Sequence, residues 1–322
     1  MRLNKKLATL ALTGVMVTSL VGCGSKKDGA STEALNELTI THVTSPLNVP
    51  SILQKHKNIF TEEFKSNGQS IEVKYAEITS GAEQTQALAS GDVDILYAVG
   101  GTSVILSAAN GADIKVLNMY SRSPQAFCLY SVDDSIQSAE DLRGKTIAGP
   151  TGTNLHQLLV AYLDKAGMSL EDVNYVNMSI PDAKAALDGG SVDAALVAGP
   201  TAYVSKQQGY HLVTDGEGLT DAIIAVAVRE DFYKEHKDVV DMFLNAQESI
   251  ITYMEENHEE TMQIVADELD LDIEAVEEMY QQYDFNTEIT EGDREAFQNV
   301  ADFMYEAGMI EDEFDTSALY VE

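Results

Sequence analysis

Apolar residues along this chain fall into short blocks separated by polar, glycine-containing turns. Blocks at 38–43, 71–78, 93–99, 114–120, 146–148, 173–178 and 194–198 have strand length and β-branched content. Between them, 50–65, 82–90, 155–166 and 183–187 carry apolar residues at helical spacing. Strands alternating with helices predict doubly wound sheets of an α/β fold. Beyond residue 231 the pattern turns helical, with Val239, Val240, Phe243, Ile250, Tyr253 and Met254 forming one apolar stripe. Asn257 with Glu260, and Thr290 with Asp293, have the spacing of N-terminal caps, and Gly308 suits a helix end.

One unit occurs twice. Ala87-Leu88-Ala89-Ser90-Gly91-Asp92-Val93-Asp94 leads into Ile95–Gly100, and Ala186-Leu187-Asp188-Gly189-Gly190-Ser191-Val192-Asp193 leads into Ala194–Gly199. Each copy holds a helix ending, a glycine able to take positive φ, then x-Val-Asp, an apolar strand and a final glycine. Ser80 with Glu83 and Asp182 before Ala183 are the helix starts expected for the two copies. The duplication predicts two α/β lobes.

The chain's ends narrow the compartment. Arg2, Lys5 and Lys6 precede an apolar stretch, 7–21, of 15 residues. That is short of the roughly 20 needed to span a bilayer, so it reads as a signal peptide, 1–22. Leu20-Val21-Gly22-Cys23 resembles the lipobox of bacterial lipoproteins, which implies acylation at Cys23. Residues 23–37 are small and polar and read as a flexible tether, with a reach of roughly 20 Å. Cys128 has no disulfide partner in the mature chain and sits in an apolar run, so a buried structural thiol is expected. With the leader removed, 17 Lys and Arg face 53 Asp and Glu, a net charge of −36. Such a chain repels nucleic acid and anionic headgroups.

The phrase Asp141-Leu142-Arg143-Gly144-Lys145-Thr146-Ile147-Ala148 is followed by Gly149-Pro150-Thr151-Gly152-Thr153-Asn154 opening a helix. Gly167-Met168-x-x-Glu171-Asp172-Val173 and Pro181-Asp182-Ala183-x-Ala185-Ala186-Leu187 come next. In this order, behind a lipobox, the motifs resemble the solute-binding proteins of ABC importers for nitrate, sulfonates, taurine and thiamine precursors. The resemblance implies a type II periplasmic-binding-protein fold. Two lobes, 38–122 plus 222–322 and 123–221, would be joined by two crossovers and close on a ligand between them. It further implies a membrane-held monomer on the extracytoplasmic face that serves a permease and its ATPase. Lys57-Asn58-Ile59-Phe60 departs from the glycine-led approach usual in that family, and Trp is absent.

Ligands of open α/β sheets bind beyond the carboxyl ends of the strands. The residues expected there are Ser45, Asn48, Ser80, Gly81, Gly101, Thr102, Thr151, Gly152, Thr153, Asn154, Pro200 and Thr201, small and hydroxylic and mostly at helix starts. Free N–H groups and the helix dipole suit such positions to anions. They are equally the residues of ordinary caps and turns. Arg122 at the first crossover is the only cation placed near the cleft, as a ligand contact or simply as a solvated hinge residue, and Asp221 at the second reads as a solvated loop carboxylate ahead of a partner for an amine. Tyr97 and Tyr120 fit core packing better than ligand stacking, and His156 lies near the cleft. The six histidines are scattered without metal-ligand spacing, and no Gly-x-Ser-x-Gly, P-loop or Gly-x-Gly-x-x-Gly occurs. No catalytic residue, metal or cofactor is therefore expected. The ligand is expected to be a small sulfonate or carboxylate, ahead of a thiamine-precursor-like heterocycle and of nitrate. A relative of pyrimidine-synthesis enzymes is the catalytic alternative.

Overall fold

The computed structural model describes residues 35–321. The expected signal peptide, Cys23 and nearly all of the tether lie outside them. The expected end of the tether at 37 shifts, because the Asn36 carbonyl already accepts from Glu72 N–H and strand β1 begins at Glu37.

Two five-stranded sheets make up the described chain. One contains β1 (Glu37–Thr41), β2 (Glu72–Ala76), β3 (Ile95–Gly100), β4 (Lys115–Arg122) and β10 (Ile223–Val228), in the order β2-β1-β3-β10-β4. The other contains β5 (Phe127–Ser131), β6 (Thr146–Gly149), β7 (Asn174–Asn177), β8 (Ala194–Ala198) and β9 (His211–Asp215), in the order β7-β6-β8-β5-β9. The two orders correspond strand for strand. In each sheet three neighbouring strands pair in parallel, the fourth position is an antiparallel strand, β10 or β5, and the edge strand beyond it, β4 or β9, pairs antiparallel with that one. The chain passes between the sheets at 123–126 and again at 216–222.

The repeated sequence has one structural explanation. Asp94 accepts a hydrogen bond from Thr39 N–H at 2.8 Å, while its own N–H donates to the Thr39 carbonyl. Asp193 does the same with Thr146, at 2.7 Å. In both sheets, then, the Val-Asp step staples the third strand to the first before regular pairing starts. Gly91 and Gly190, both at positive φ, turn the chain out of the preceding helix.

Each parallel strand is followed by a helix. These are α1 (Val49–Lys57), α3 (Gly81–Ser90) and α4 (Gly101–Ala109) in the first half, and α5 (Asn154–Asp164), α6 (Ile180–Asp188) and α7 (Pro200–Gln207) in the second. The expected helix 50–65 is broken into α1 and α2 (Ile59–Ser66) by Asn58 at φ 55. Asn tolerates this left-handed conformation better than most residues, so it does what a glycine would do there. The chain ends in helices α8 (Glu230–Glu235), α9 (Lys237–Glu256), α10 (His258–Leu269), α11 (Ile273–Tyr280) and α12 (Glu291–Glu306).

Caps behave as expected in part. Thr290 and Asp293 form a capping box, and Ser80 accepts from Glu83 N–H. At α10 the expected cap fails: the Asn257 side chain donates to the Tyr253 carbonyl instead. The start expected at Asp182 moves to Ser179, which caps α6.

The apolar stripe of α9 packs into an aromatic nucleus. Phe243 stacks on Phe60 at 4.4 Å, and Tyr97 meets both rings edge-on, at 5.6 and 5.4 Å. Tyr120 packs edge-on against Tyr97 at 4.9 Å, so both tyrosines belong to the core. Cys128 is buried between strands, and burial pushes its thiol up to about 12, which keeps it protonated and inert. Phe243→Ala should lower unfolding free energy by about 3–5 kcal/mol. Urea denaturation of the soluble domain tests this; a loss under about 1 kcal/mol would remove α9 from the core's main supports.

Candidate functional site

A cavity of about 440 Å³ lies between the two sheets. Its wall is built from the helix starts that follow the six parallel strands. Asn48 comes from α1, Ser80 and Gly81 from α3, Gly100 and Ser103 from α4, Thr153 and Asn154 from α5, Ser179 and Ile180 from α6, and Pro200 and Thr201 from α7. At α4, α5 and α7 no side chain caps the first turn, so N–H groups there are left for other acceptors, whereas at α1 Pro50 has no N–H and the Ser51 N–H donates to the Tyr120 hydroxyl at 3.0 Å. Ser45, Thr79 and Gln84 add polar groups, and the rest of the wall is apolar: Val43, Pro46, Ala98, Phe127, Pro150, Leu155, Pro181 and Ile224. Among the described residues, none that lines the cavity carries a formal charge.

Local packing explains the small residues. A Cβ on Gly81 would lie 2.2 Å from Ser103 Oγ, so only glycine lets α3 and α4 start side by side. A Cβ on Gly199 would lie 2.0 Å from the Pro46 carbonyl oxygen, where the two halves approach backbone to backbone. Deeper in, Thr102 donates to Asn154 Oδ1 at 2.7 Å, Ser103 to the Gly152 carbonyl at 3.1 Å, and Asn154 to the Ile223 carbonyl at 3.2 Å. These bonds join α4 and β10 of one half to α5 of the other.

Of the residues expected at the cleft, Ser45, Asn48, Ser80, Gly81, Thr153, Asn154, Pro200 and Thr201 line the cavity. Gly101 and Thr102 stand behind the wall, Gly101 packed on Ile223 and Phe297 and Thr102 on Asn154. Thr151 is exposed and donates its N–H to Asn177, and Gly152 is buried against α4. Asp221 is exposed and outside the lining.

Arg122 corrects the expectation of a cleft cation. Its Nε and Nη2 donate to both carboxylate oxygens of Asp293, at 2.5 and 2.6 Å. Nη1 and Nη2 also reach the carbonyls of Asn286 and Glu288, at 2.7 and 2.9 Å. Burial alone would raise the Asp293 carboxyl, but bonds from Arg122 and Thr290 hold it below its ordinary value. The guanidinium thus fastens the end of β4 to α12. Its work is structural.

His156 stands one turn behind the lining. Its Nδ1 accepts from Gly152 N–H at 3.2 Å, which puts the proton on Nε2, and the ring stacks on Tyr175 at 5.0 Å. Burial holds its pKa below the ordinary 6.5, as it does for His42. The residues missed by sequence reading are chiefly apolar. Ala98 is the least legible: it takes φ 80 at a bulge where β3 pairs with β10, a conformation costing Ala roughly 1–2 kcal/mol. Among the described residues, no group of three or more His, Cys, Asp or Glu is placed to hold a metal ion.

The cleft is thus neutral and lined by the starts of six helices. The family described as NMT1/THI5 like matches residues 63–261. The chain belongs to the NMT1/THI5-like family. This NMT1/THI5-like chain is 30% identical over 303 residues to a putative aliphatic sulfonates-binding protein of Bacillus subtilis (strain 168), covering 92% of this chain and 89% of that one. It is also 30% identical over 215 residues to a taurine-binding periplasmic protein of Escherichia coli (strain K12), covering 66% and 64%. In fold it matches the alkanesulfonate-binding protein SsuA from Xanthomonas axonopodis pv. citri, bound to MOPS. The TM-score is 0.81 at 20% identity, over 90% of this chain and 99% of that one. The fold is that of periplasmic binding proteins.

The buried groups can be tested directly. Arg122→Ala strands a buried carboxylate and should cost about 3 kcal/mol of stability; unchanged stability with lost anion affinity would instead restore Arg122 to the site. His42 and His156 bind protons more readily unfolded than folded, so stability should fall as pH drops below about 6.5. Urea midpoints at pH 7.5 and 5.5 should differ less in His156→Gln than in the parent protein, and equal differences would refute the assignment.

Proposed function

We propose that this chain is the solute-binding component of an ABC importer, and that its two halves close on a small organic sulfonate. The supporting observation is the neutral cavity on which six helix starts converge. A helix N-terminus stabilises an anion by roughly 0.3–1 kcal/mol when exposed, and by up to about 2 when partly buried. Several acting together hold one sulfonate without a counter-cation. A sulfonate presents three oxygens to amides arriving from different directions, which a planar carboxylate does less well. The names of the sulfonate- and taurine-binding relatives favour the same choice. A heterocycle is the weaker reading, because Phe127 is the only aromatic side chain among the described residues of the lining and cannot sandwich a ring alone.

In this reading 123–126 and 216–222 are the hinges between lobes 38–122 plus 222–322 and 123–221. The protein acts as a monomer, held to the outer face of the membrane by a lipid on Cys23. The closed form docks on a permease that works with an ATPase. The role is binding and not catalysis: the lining offers no titratable side chain to act as acid, base or nucleophile among the described residues.

Thermal unfolding of the soluble domain with ethanesulfonate, propionate, nitrate and ATP tests the reading. Ligand at about 100 times Kd contributes about 2.7 kcal/mol, so ethanesulfonate or a longer homologue should raise Tm by several degrees, and ATP should not. A response to ATP alone, or to none of the sulfonates, would sink it.

A further inference from the structure

Resting on the closure of two lobes in that reading, we infer that Thr102 is a positioning residue that bolts the halves shut through the Asn154 side chain and keeps the closed form populated without ligand. Thr102 stands behind the cavity wall and does not line it. Asn154 opens α5 in one half, yet both ends of its amide are spent on the other. Its Oδ1 accepts from the Thr102 hydroxyl at 2.7 Å, and its Nδ2 donates to the Ile223 carbonyl at 3.2 Å. Thr102 Oγ1 also lies 2.9 Å from Gln157 Oε1, three residues further along α5. Beside them the Ser103 hydroxyl donates to the Gly152 carbonyl. Each of these bonds joins one half directly to the other, so none waits on a ligand to form.

Burial decides which bonds between the halves matter. An ion pair also links them, from Lys206 of α7 to Glu278 of α11, but those side chains are 61% and 43% exposed. Such a pair contributes little, and less as salt rises. Thr102 and Asn154 are only 1% and 3% exposed. Without the Thr102 hydroxyl, closing strands the Asn154 acceptor away from water, which disfavours the closed form by a factor of roughly 5 to 150. The open form escapes this cost, because water can reach the acceptor there. A ligand that binds the closed form has its apparent affinity scaled by the closed fraction. The bolt therefore changes every ligand's affinity by one factor and leaves their order alone.

Spin labels on Glu83→Cys and Asp182→Cys, exposed positions in the first turns of α3 and α6 in opposite halves, report the gap by pulsed dipolar spectroscopy. The ligand-free soluble domain should show a short-distance population that Thr102→Val cuts about tenfold. Thr102→Ser should keep that population, and Lys206→Ala should change it by less than about twofold. In calorimetric titrations Thr102→Val should weaken ethanesulfonate and butanesulfonate by the same factor of about ten. A parent protein with no short-distance population, or with one that Thr102→Val leaves unchanged, overturns the inference. Affinities that fall unequally also overturn it, since Thr102 would then be reading the ligand. If the parent binds neither sulfonate, the sulfonate reading alone fails, and the label distances still decide the bolt.

Discussion

A parallel β-strand followed by a helix delivers that helix with its amide end at the carboxyl edge of the sheet. This constraint organises the whole molecule. Six such units, three in each sheet, bring six helix starts to one space because the chain crosses twice and sets the carboxyl edges face to face. No basic residue has to be buried to obtain a positive potential there. It comes from backbone that the fold must lay down in any case.

The antiparallel strands complete this arrangement. β10 lies in the first sheet but follows the second, and β5 stands at the matching place in the second sheet directly after the first crossing. Each half therefore contains an interior strand reached through a crossover. The closure proposed above is then confined to rotation about two short segments, with the sheets themselves left intact. Arg122, clamped on Asp293, Asn286 and Glu288, anchors one of those segments to α12. That crossing is thereby tied to the C-terminal helices and not to the cavity wall.

Much of this was written in the sequence where local rules operate. All seven expected strand blocks were placed to within a few residues, because Val- and Ile-rich runs between glycines have few other uses. The paired Val-Asp steps were visible as a repeat, but their purpose as staples was not, because the two Asp side chains meet strands 55 and 47 residues away. β5 was visible only as an apolar run around Cys128, with nothing local to set its direction in a sheet. β10 escaped detection despite six buried residues: Ile223–Val228 lies outside the repeated unit, which is what singled out the equally short and uniformly apolar Ala194–Ala198. β9 escaped for the opposite reason, being a half-exposed edge strand. At the site, hydroxyl and glycine positions were legible because helix caps are local. The apolar wall was not, since Phe127, Leu155 and Ile224 look like any core residue until the halves are brought together. Arg122 misled for the same reason: position near a crossover says nothing about which way a guanidinium turns.

On the sulfonate reading an acidic chain carries an anion, although its formal net charge is −33. The two facts act at different ranges. Exposed carboxylates are screened over a Debye length of roughly 8 Å at physiological ionic strength, so their repulsion mainly slows approach. Amides in a confined cavity act at hydrogen-bond distance, where mobile ions do not intervene and the effective dielectric is lower than in water. Affinity is then set by the uncharged wall and the rate of capture by the surface. A buried lysine or arginine would have raised affinity for every anion alike, phosphate and sulfate included. Dipoles without a counter-charge favour a monoanion over a dianion, because the second charge gains too little to offset its lost hydration. The same absence of charge that admits a sulfonate thus also restricts what else can enter.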